Sequence, residues 1–224
     1  MKCITKLATL AFTTLTMVSC GRSDSNSDND TVQVPVTKAL SNVLCMKDGK
    51  AVAYGSGVKT SDGKFLTAKH VVEGCDSILI KTAESDIVMK MREFTPSSDV
   101  VVLEKVYEGK ELQDAWEAKL SLEKTSVSSL KGDTVTIIAT QQERFNGVWK
   151  IVNYRLVCKV TSDIIYQEAN ETYTDGLVYS DVECDQPILR GMSGGAVMNR
   201  DEKVVGIASQ VYILSPTKGR ISIL

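Results

Sequence analysis

The chain has 224 residues, enough for one all-β domain or two small ones, and its 43% hydrophobic content supports a substantial core. Its 26 basic residues nearly balance its 28 acidic residues, which leaves a formal net charge of −2. Because this composition creates no broad positive field, binding to nucleic acid or to an anionic membrane surface through charge is not expected.

Residues 1–19 have the pattern of an export signal. Two lysines precede the uncharged stretch 7–18, which is too short to cross a bilayer as a helix. The run Met17-Val18-Ser19-Cys20-Gly21 then resembles the lipobox of bacterial lipoproteins. That resemblance implies acylation of Cys20 and a lipid-anchored protein of the bacterial cell envelope. Ordinary cleavage near Cys20 and secretion is the alternative.

The next segment, 20–36, is expected to be a flexible tether that begins at the lipidated Cys20. Ser, Asn and Asp dominate it, and such a composition cannot be buried in a core. Asp24, Asp28 and Asp30 could suggest calcium, but the glycine and terminal glutamate of a calcium-binding loop are absent. A solvated linker is therefore the better interpretation, and no metal or cofactor is expected.

The remaining chain, 37–224, alternates short apolar segments with Gly, Asp and Asn turns. These segments are rich in Val, Ile and Thr and predict an antiparallel all-β protein. The predicted strands are 51–58, 65–68, 77–82, 87–94, 100–106, 134–139, 149–160, 177–182, 196–198 and 204–211. One helix is predicted over 108–119 from apolar residues at steps of three and four. The pattern fits two packed barrels, about 37–120 and 121–224, with a cleft between them.

Three separated residues have the chemistry of a serine hydrolase. His70 is the only histidine, Asp99 precedes an apolar strand, and Ser193 lies in the glycine turn Gly191-Met192-Ser193-Gly194-Gly195. A neutral imidazole can take the proton of a hydroxyl nucleophile, and an acid can hold that imidazole in one tautomer. The N–H groups of Gly191 and Ser193 are expected to form the oxyanion hole.

Two other acids could orient the imidazole in place of Asp99. Asp76 lies close to the histidine in sequence, and Asp86 also precedes an apolar run, so Asp86 is the more serious alternative. Asp99 is preferred because the longer apolar run 100–103 makes a better buried strand.

Together, the segments Thr67-Ala68-Lys69-His70, Asp99-Val100-Val101-Val102-Leu103 and Gly191-Met192-Ser193-Gly194-Gly195 resemble the trypsin-like serine peptidase family. The resemblance is strongest to its bacterial DegP/HtrA branch and spans residues 43–224. It implies two six-stranded antiparallel β-barrels with the active site in the cleft between them. It also implies hydrolysis of peptide bonds through an acyl-enzyme. DegP-like proteins usually carry a PDZ domain after the protease, and none is expected in this chain.

Cys45, Cys75, Cys158 and Cys184 remain after the two N-terminal cysteines, and an exported chain with four cysteines is expected to form two disulfides. The resemblance implies Cys45–Cys75, because the family bridges a cysteine after the histidine to an earlier strand. Predicted hairpin geometry favours Cys158–Cys184. Zinc is a poor alternative, since the four are dispersed and form no Cys-x-x-Cys pair.

Substrate preference is weakly encoded. By resemblance, the pocket for the residue before the cut is formed by Pro187, Ile188, Leu189, Arg190, Ala208, Ser209 and Gln210. These residues favour a small or medium apolar side chain, whereas Asp185 would favour a basic one if its loop carried it into the pocket. Met192 replaces the aspartate of trypsin-like zymogens, so activation by an ion pair with a new N-terminus is excluded on this interpretation.

The leading functional hypothesis is a membrane-tethered, extracytoplasmic serine endopeptidase that acts on polypeptides, as a monomer. The alternative is a catalytically silent relative whose cleft binds peptides or a partner protein. An esterase of the α/β-hydrolase type is disfavoured, because its nucleophile lies in Gly-x-Ser-x-Gly and its triad has another order.

Overall fold

The computed structural model describes residues 39–81, 86–94, 98–106, 122–169, 176–212 and 215–224. Within these ranges the chain forms thirteen β-strands and one four-residue helix. None of the described helices is long and apolar enough to span a bilayer. The signal segment, Cys20, the tether and the helix expected over 108–119 lie outside the described residues.

The first six strands close into a barrel in which each strand pairs antiparallel with its neighbours, in the order β1-β2-β3-β6-β5-β4. Their bounds are β1 Leu40–Lys47, β2 Lys50–Lys59, β3 Phe65–Ala68, β4 Ser77–Lys81, β5 Asp86–Phe94 and β6 Val100–Lys105, with the helix α1, Lys69–Val72, after β3. Valines, isoleucines and Phe65 fill the interior of this barrel.

The other seven strands form the second half of the molecule, in the order β13-β12-β11-β7-β8-β10-β9. Their bounds are β7 Thr134–Phe145, β8 Val148–Val160, β9 Ile165–Gln167, β10 Leu177–Cys184, β11 Ala196–Met198, β12 Val204–Tyr212 and β13 Ser215–Ile223. Pairing of β10 with β13 closes six of them into a second barrel, and β9 is an additional strand on β10. The prediction of two six-stranded antiparallel barrels is confirmed.

All ten predicted strands are present, with ends that differ by up to six residues, and three further strands were missed. The missed strands are β1, β9 and β13. β1 lacks a clean alternation because almost all of it is buried, and β13 carries proline, glycine and two cations. β7 continues to Phe145 rather than ending at Ala139, because it pairs with β8 along the whole hairpin.

The two barrels share an apolar interface. Ile138, Ala196 and Ile207 of the second barrel pack in one cluster with Val43 and Val58 of the first barrel. Polar contacts cross the same boundary. The buried Ser56 hydroxyl of β2 lies 2.9 Å from both the N and the O atoms of Thr140 in β7. The barrels are therefore fixed relative to each other at the place where the cleft opens.

The structure contains two disulfides, Cys45–Cys75 and Cys158–Cys184, which are the two pairs expected. The first ties β1 to the segment after α1, and the second joins register partners on β8 and β10. Each disulfide thus staples one barrel.

Candidate active site

His70 and Asp99 meet at one end of the first barrel because of strand register. His70 follows β3 and Asp99 precedes β6, and these strands are neighbours that pair Ala68 with Val100. Nδ1 of His70 lies 2.7 Å from Oδ2 of Asp99, and the His70 backbone N–H donates to Oδ1 at 3.0 Å. The carboxylate is 3% exposed, whereas the imidazole side chain is 39% exposed. The ring therefore lies between a buried acid and the solvent.

Ser209, on β12 of the second barrel, supplies a further donor to the same acid. Its hydroxyl donates to Oδ2 of Asp99 at 2.6 Å. A carboxylate that accepts three hydrogen bonds is held in one orientation, and an acceptor-only group requires the proton on Nδ1 of His70. Nε2 is then the nitrogen able to accept a proton.

The two competing acids are placed elsewhere. Oδ2 of Asp76 accepts the backbone N–H of Asp48 at 2.8 Å, and Asp86 begins β5 opposite Lys81. Among the acidic side chains that the structure describes, Asp99 is the one hydrogen-bonded to His70.

Ser193 lies in a turn between β10 and β11 whose backbone conformation requires glycine at two positions. Gly191 and Gly194 have φ values of +92° and +86°. A Cβ at Gly194 would come within 2.0 Å of the carbonyl oxygen of Ser56, so no larger residue fits. Two backbone hydrogen bonds of 2.7 Å fix the turn, from Ser56 to the oxygen of Ser193 and from Gly194 to the oxygen of Ala208.

Two amides of this turn are free. Within the described residues, the N–H groups of Gly191 and Ser193 donate to no acceptor of the protein. Free, closely spaced amides beside a hydroxyl nucleophile are the donors that an oxyanion hole needs. The Ser193 hydroxyl itself donates to the carbonyl oxygen of Ser209 at 3.0 Å, so in this rotamer its one proton is not directed to His70.

Met192 is fully buried in the core of the second barrel. Its Sδ accepts the backbone N–H of Leu189 at 3.3 Å, and its own N–H donates to the Leu189 carbonyl at 3.2 Å. The apolar side chain of Met192 therefore packs beneath the turn. A charged side chain at this position would need a buried partner of opposite charge.

His70, Gly191 and Ser193 line a cleft of about 360 Å³. Six of the seven pocket residues expected from the sequence also line it, namely Ile188, Leu189, Arg190, Ala208, Ser209 and Gln210. Pro187 is exposed and does not line this cleft, because the wall begins one residue later, at the buried Ile188. Asp185 is also outside it: its carboxylate accepts the backbone N–H of Val157 at 3.1 Å. Asp185 therefore does not enter the pocket, and it cannot favour a basic substrate side chain there.

Sequence reasoning missed Arg220, which also lines the cleft. Its guanidinium lies 4.1 Å from the ring centre of Tyr179, and its Nε donates to the Tyr212 hydroxyl at 3.1 Å. Burial alone lowers the pKa of Arg220, but its hydrogen bond and electrostatic interaction with Tyr212, with smaller contributions from Tyr179 and Asp181, outweigh it and raise that pKa. Arg220 therefore remains a cation. No motif marked it, because β13 was not predicted.

Tyr54 and Ser56 were also missed, although both lie in β2, which was predicted. The Tyr54 ring covers Gly191, where a Cβ would come within 2.6 Å of it. Oγ of Ser56 lies 2.9 Å from the Gly191 carbonyl oxygen. These contacts span more than 130 residues of sequence, so no local pattern could reveal them.

Two closed antiparallel barrels with an imidazole, a buried acid and a hydroxyl at their junction define the two-barrel class of serine peptidases. The model of the trypsin-like peptidase domain matches residues 55–207. The chain belongs to this family, within its DegP/HtrA-like group.

Sequence relatives and solved structures agree with that placement. A Pseudomonas fluorescens protein named "Probable periplasmic serine endoprotease DegP-like" is 28% identical over 175 residues, which cover 74% of this chain and 31% of that protein. The chain thus spans about a third of the length of this relative. The active form of the Rv3671c protease from M. tuberculosis superposes with a TM-score of 0.63 at 16% identity, covering 89% of this chain and 82% of that one.

A further structural neighbour is the HtrA-type protease AlgW, solved with a decapeptide. It has a TM-score of 0.58 at 15% identity and covers 87% of this chain and 63% of its own. At these identities the two structures establish a shared fold.

Proposed function

We propose that this chain is a serine endopeptidase in which Ser193 is the nucleophile, His70 the general base and then acid, and Asp99 the group that orients His70. The observation that carries the proposal is the hydrogen-bonded pair of His70 and the buried Asp99, at 2.7 Å, in the cleft that also holds Ser193. The free amides of Gly191 and Ser193 supply the oxyanion hole.

The reaction begins with rotation of the Ser193 side chain away from the Ser209 carbonyl oxygen. Oγ then attacks the carbonyl carbon of the scissile bond, and its proton passes to Nε2 of His70. The imidazolium is stabilised by Asp99, which already accepts the Nδ1 proton. The amides of Gly191 and Ser193 donate to the tetrahedral oxyanion, and loss of one such donor costs about 3 kcal/mol of transition-state stabilisation.

Collapse of that intermediate breaks the C–N bond and forms the acyl-enzyme. Nε2 of His70 gives its proton to the leaving amine. Water then attacks the ester carbonyl, with His70 accepting the proton of the water and returning it to Oγ of Ser193 as the acid product leaves. No redox step or cofactor is required.

The proposal places the peptidase domain at 37–224, behind a signal peptide of residues 1–19 and a tether of 20–36. The lipobox-like run ending at Cys20 supports a lipid anchor in the cell envelope, and the periplasmic naming of the relatives agrees with such a location. Polypeptides are the proposed substrates of this monomeric domain. Incorporation of a labelled fatty acid should depend on Cys20, and equal labelling of Cys20→Ala would refute the anchor.

The activity is tested with a fluorophosphonate probe on the purified chain. We expect the probe to label one residue, Ser193, and to leave Ser193→Ala unlabelled. The native protein should cleave unfolded polypeptides, and Ser193→Ala should not. Asp99→Asn should leave the fold intact but lower kcat by on the order of 10⁴-fold, because an amide favours the wrong imidazole tautomer. A native protein that takes no label and cuts no polypeptide would contradict the proposal and favour the silent, peptide-binding alternative.

A further inference from the structure

Arg220 is held by neutral partners beside the proposed nucleophile. It lies opposite Gln210 in the register of β12 and β13, and its Nη1 donates to Oε1 of Gln210 and Oε1 of Gln167, both at 3.1 Å. Nε donates to the Tyr212 hydroxyl. The guanidinium of Arg220 is therefore held in one position by the amides of Gln210 and Gln167, the phenol of Tyr212 and the stacked Tyr179 ring.

The charge of Arg220 is not neutralised by direct contact. Tyr212 stands between it and the nearest acid in the network, since the Tyr212 hydroxyl donates to Oδ1 of Asp181 at 2.6 Å. Among the described residues, no carboxylate forms an ion pair with Arg220, and its Nη2 donates to no acceptor of the protein. Two of its five N–H donors are therefore available to a ligand.

The cleft as a whole has the polarity that an acidic side chain requires. Arg190 and Arg220 line it, and no aspartate or glutamate does among the described residues. Ile188, Ala208 and Val211 contribute apolar wall. A side chain with a methylene stem and a terminal carboxylate matches apolar walls and a guanidinium, and Arg binds carboxylates with good geometry.

We propose that Arg220 makes this cleft selective for an acidic residue, Asp or Glu, immediately before the scissile bond. The proposal rests on the proposed function, because it assigns the substrate class of that same site. It replaces both the apolar and the basic preferences considered from the sequence. Arg220 acts as the carboxylate receptor, and Gln167, Gln210 and Tyr212 position it.

A purely structural role for Arg220, joining β9, β12 and β13 through its amide contacts, predicts a different outcome. Loss of a structural residue lowers stability and affects all substrates alike, whereas loss of a receptor changes the ratio between substrates that differ only in charge. The decisive measurement is therefore a selectivity ratio.

The experiment uses internally quenched peptides identical except for Glu, Asp, Gln or Leu before the cut. For the native chain we expect kcat/KM to favour Glu or Asp over Gln by about 10- to 100-fold, because the site is partly solvated and the hydrogen bonds are charge-assisted. In Arg220→Gln the ratio should fall to near one, and in Arg220→Lys it should be intermediate. High salt should also reduce the native ratio.

Arg155→Gln is the matched control, since it removes the same charge from an exposed position on β8 outside the cleft. It should retain the native ratio. Thermal unfolding of each variant shows whether it folds. If Arg220→Gln does not fold, the Arg220→Lys ratio and the salt dependence of the native protein carry the test.

Failure of this proposal and failure of the proposed function give different results. A native protein that takes the fluorophosphonate label and cleaves the Gln or Leu peptide as fast as the Glu peptide keeps the peptidase and overturns the acidic selectivity. If no label and no cleavage occur, anisotropy with labelled Glu and Gln peptides on Ser193→Ala decides the selectivity. Tighter binding of the Glu peptide supports it, and equal binding refutes it.

Discussion

Ser56→Ala tests how the first barrel holds the turn around Ser193 in the second barrel. Oγ of Ser56 is fully buried and lies 2.9 Å from the carbonyl oxygen of Gly191 and from the carbonyl oxygen of Thr140. It also accepts the Thr140 backbone N–H at 2.9 Å. The hydroxyl has one proton for two carbonyl acceptors, and it is the acceptor of a buried amide.

The expected cost follows from those contacts. Alanine leaves the N–H of Thr140, a residue only 1% exposed, without an acceptor. An unsatisfied buried donor costs about 1 to 3 kcal/mol, so the free energy of unfolding should fall by about 2 kcal/mol. The carbonyls of Gly191 and Thr140 also lose the donor that they share, worth about 1 kcal/mol, and a less fixed turn should slow labelling of Ser193 about fivefold.

Urea denaturation measures the first effect and the rate of fluorophosphonate labelling of Ser193 measures the second. Val135→Ala is the control, because it truncates a side chain 1% exposed in the second barrel and should cost a similar 2 kcal/mol. It should label at the native rate under conditions where both variants are folded. Native labelling by Ser56→Ala would refute the positioning of the turn, and unchanged stability would refute the desolvation argument.

Two further predictions concern stability. Burial alone raises the pKa of Asp62, but hydrogen bonds from Thr60 and Lys124 and the Lys124 charge give a net lowering. Asp62→Asn should therefore lower the unfolding free energy at pH 7, by less than about 1 kcal/mol because the site is exposed. The difference in unfolding free energy between the native protein and the variant should vanish as the pH falls below 3.8 and through the folded pKa of Asp62. A gap that widens in acid would contradict this sign. Replacing both Cys158 and Cys184 by alanine opens a loop with a sequence separation of 26 and should lower the unfolding free energy by about 3 kcal/mol in urea denaturation. Dithiothreitol treatment of the native protein should lower it further, because the reductant also opens Cys45–Cys75. An unchanged midpoint in both experiments would contradict it.

Local sequence was sufficient where local chemistry decides the structure. Alternating β-branched segments predicted ten of the strands, since a half-buried strand needs that pattern. The glycines around Ser193 predicted a tight turn, and Gly191 and Gly194 do have positive φ. Cys158 and Cys184 are register partners, as hairpin geometry suggested.

Local sequence was insufficient where burial or pairing is set by distant strands. β1 is buried on both faces because it lies between the interior of the first barrel and β7 of the second, so it lacks the alternation of a half-buried strand. β13 contains Pro216 and Gly219, which argue against a strand, yet pairing with β10 and β12 closes the second barrel. Tertiary pairing overrode the intrinsic preference of that segment.

The sequence by itself determined the family, the barrel class and the residues His70, Asp99 and Ser193 as candidates, because these depend on residue type, order and local turn chemistry. Only the tertiary structure decided that Ser209 completes the hydrogen bonding of Asp99, and that Arg220 lines the cleft. The physical reason is that both contacts arise from closure of the second barrel and its docking on the first. Such contacts join residues that no local pattern relates.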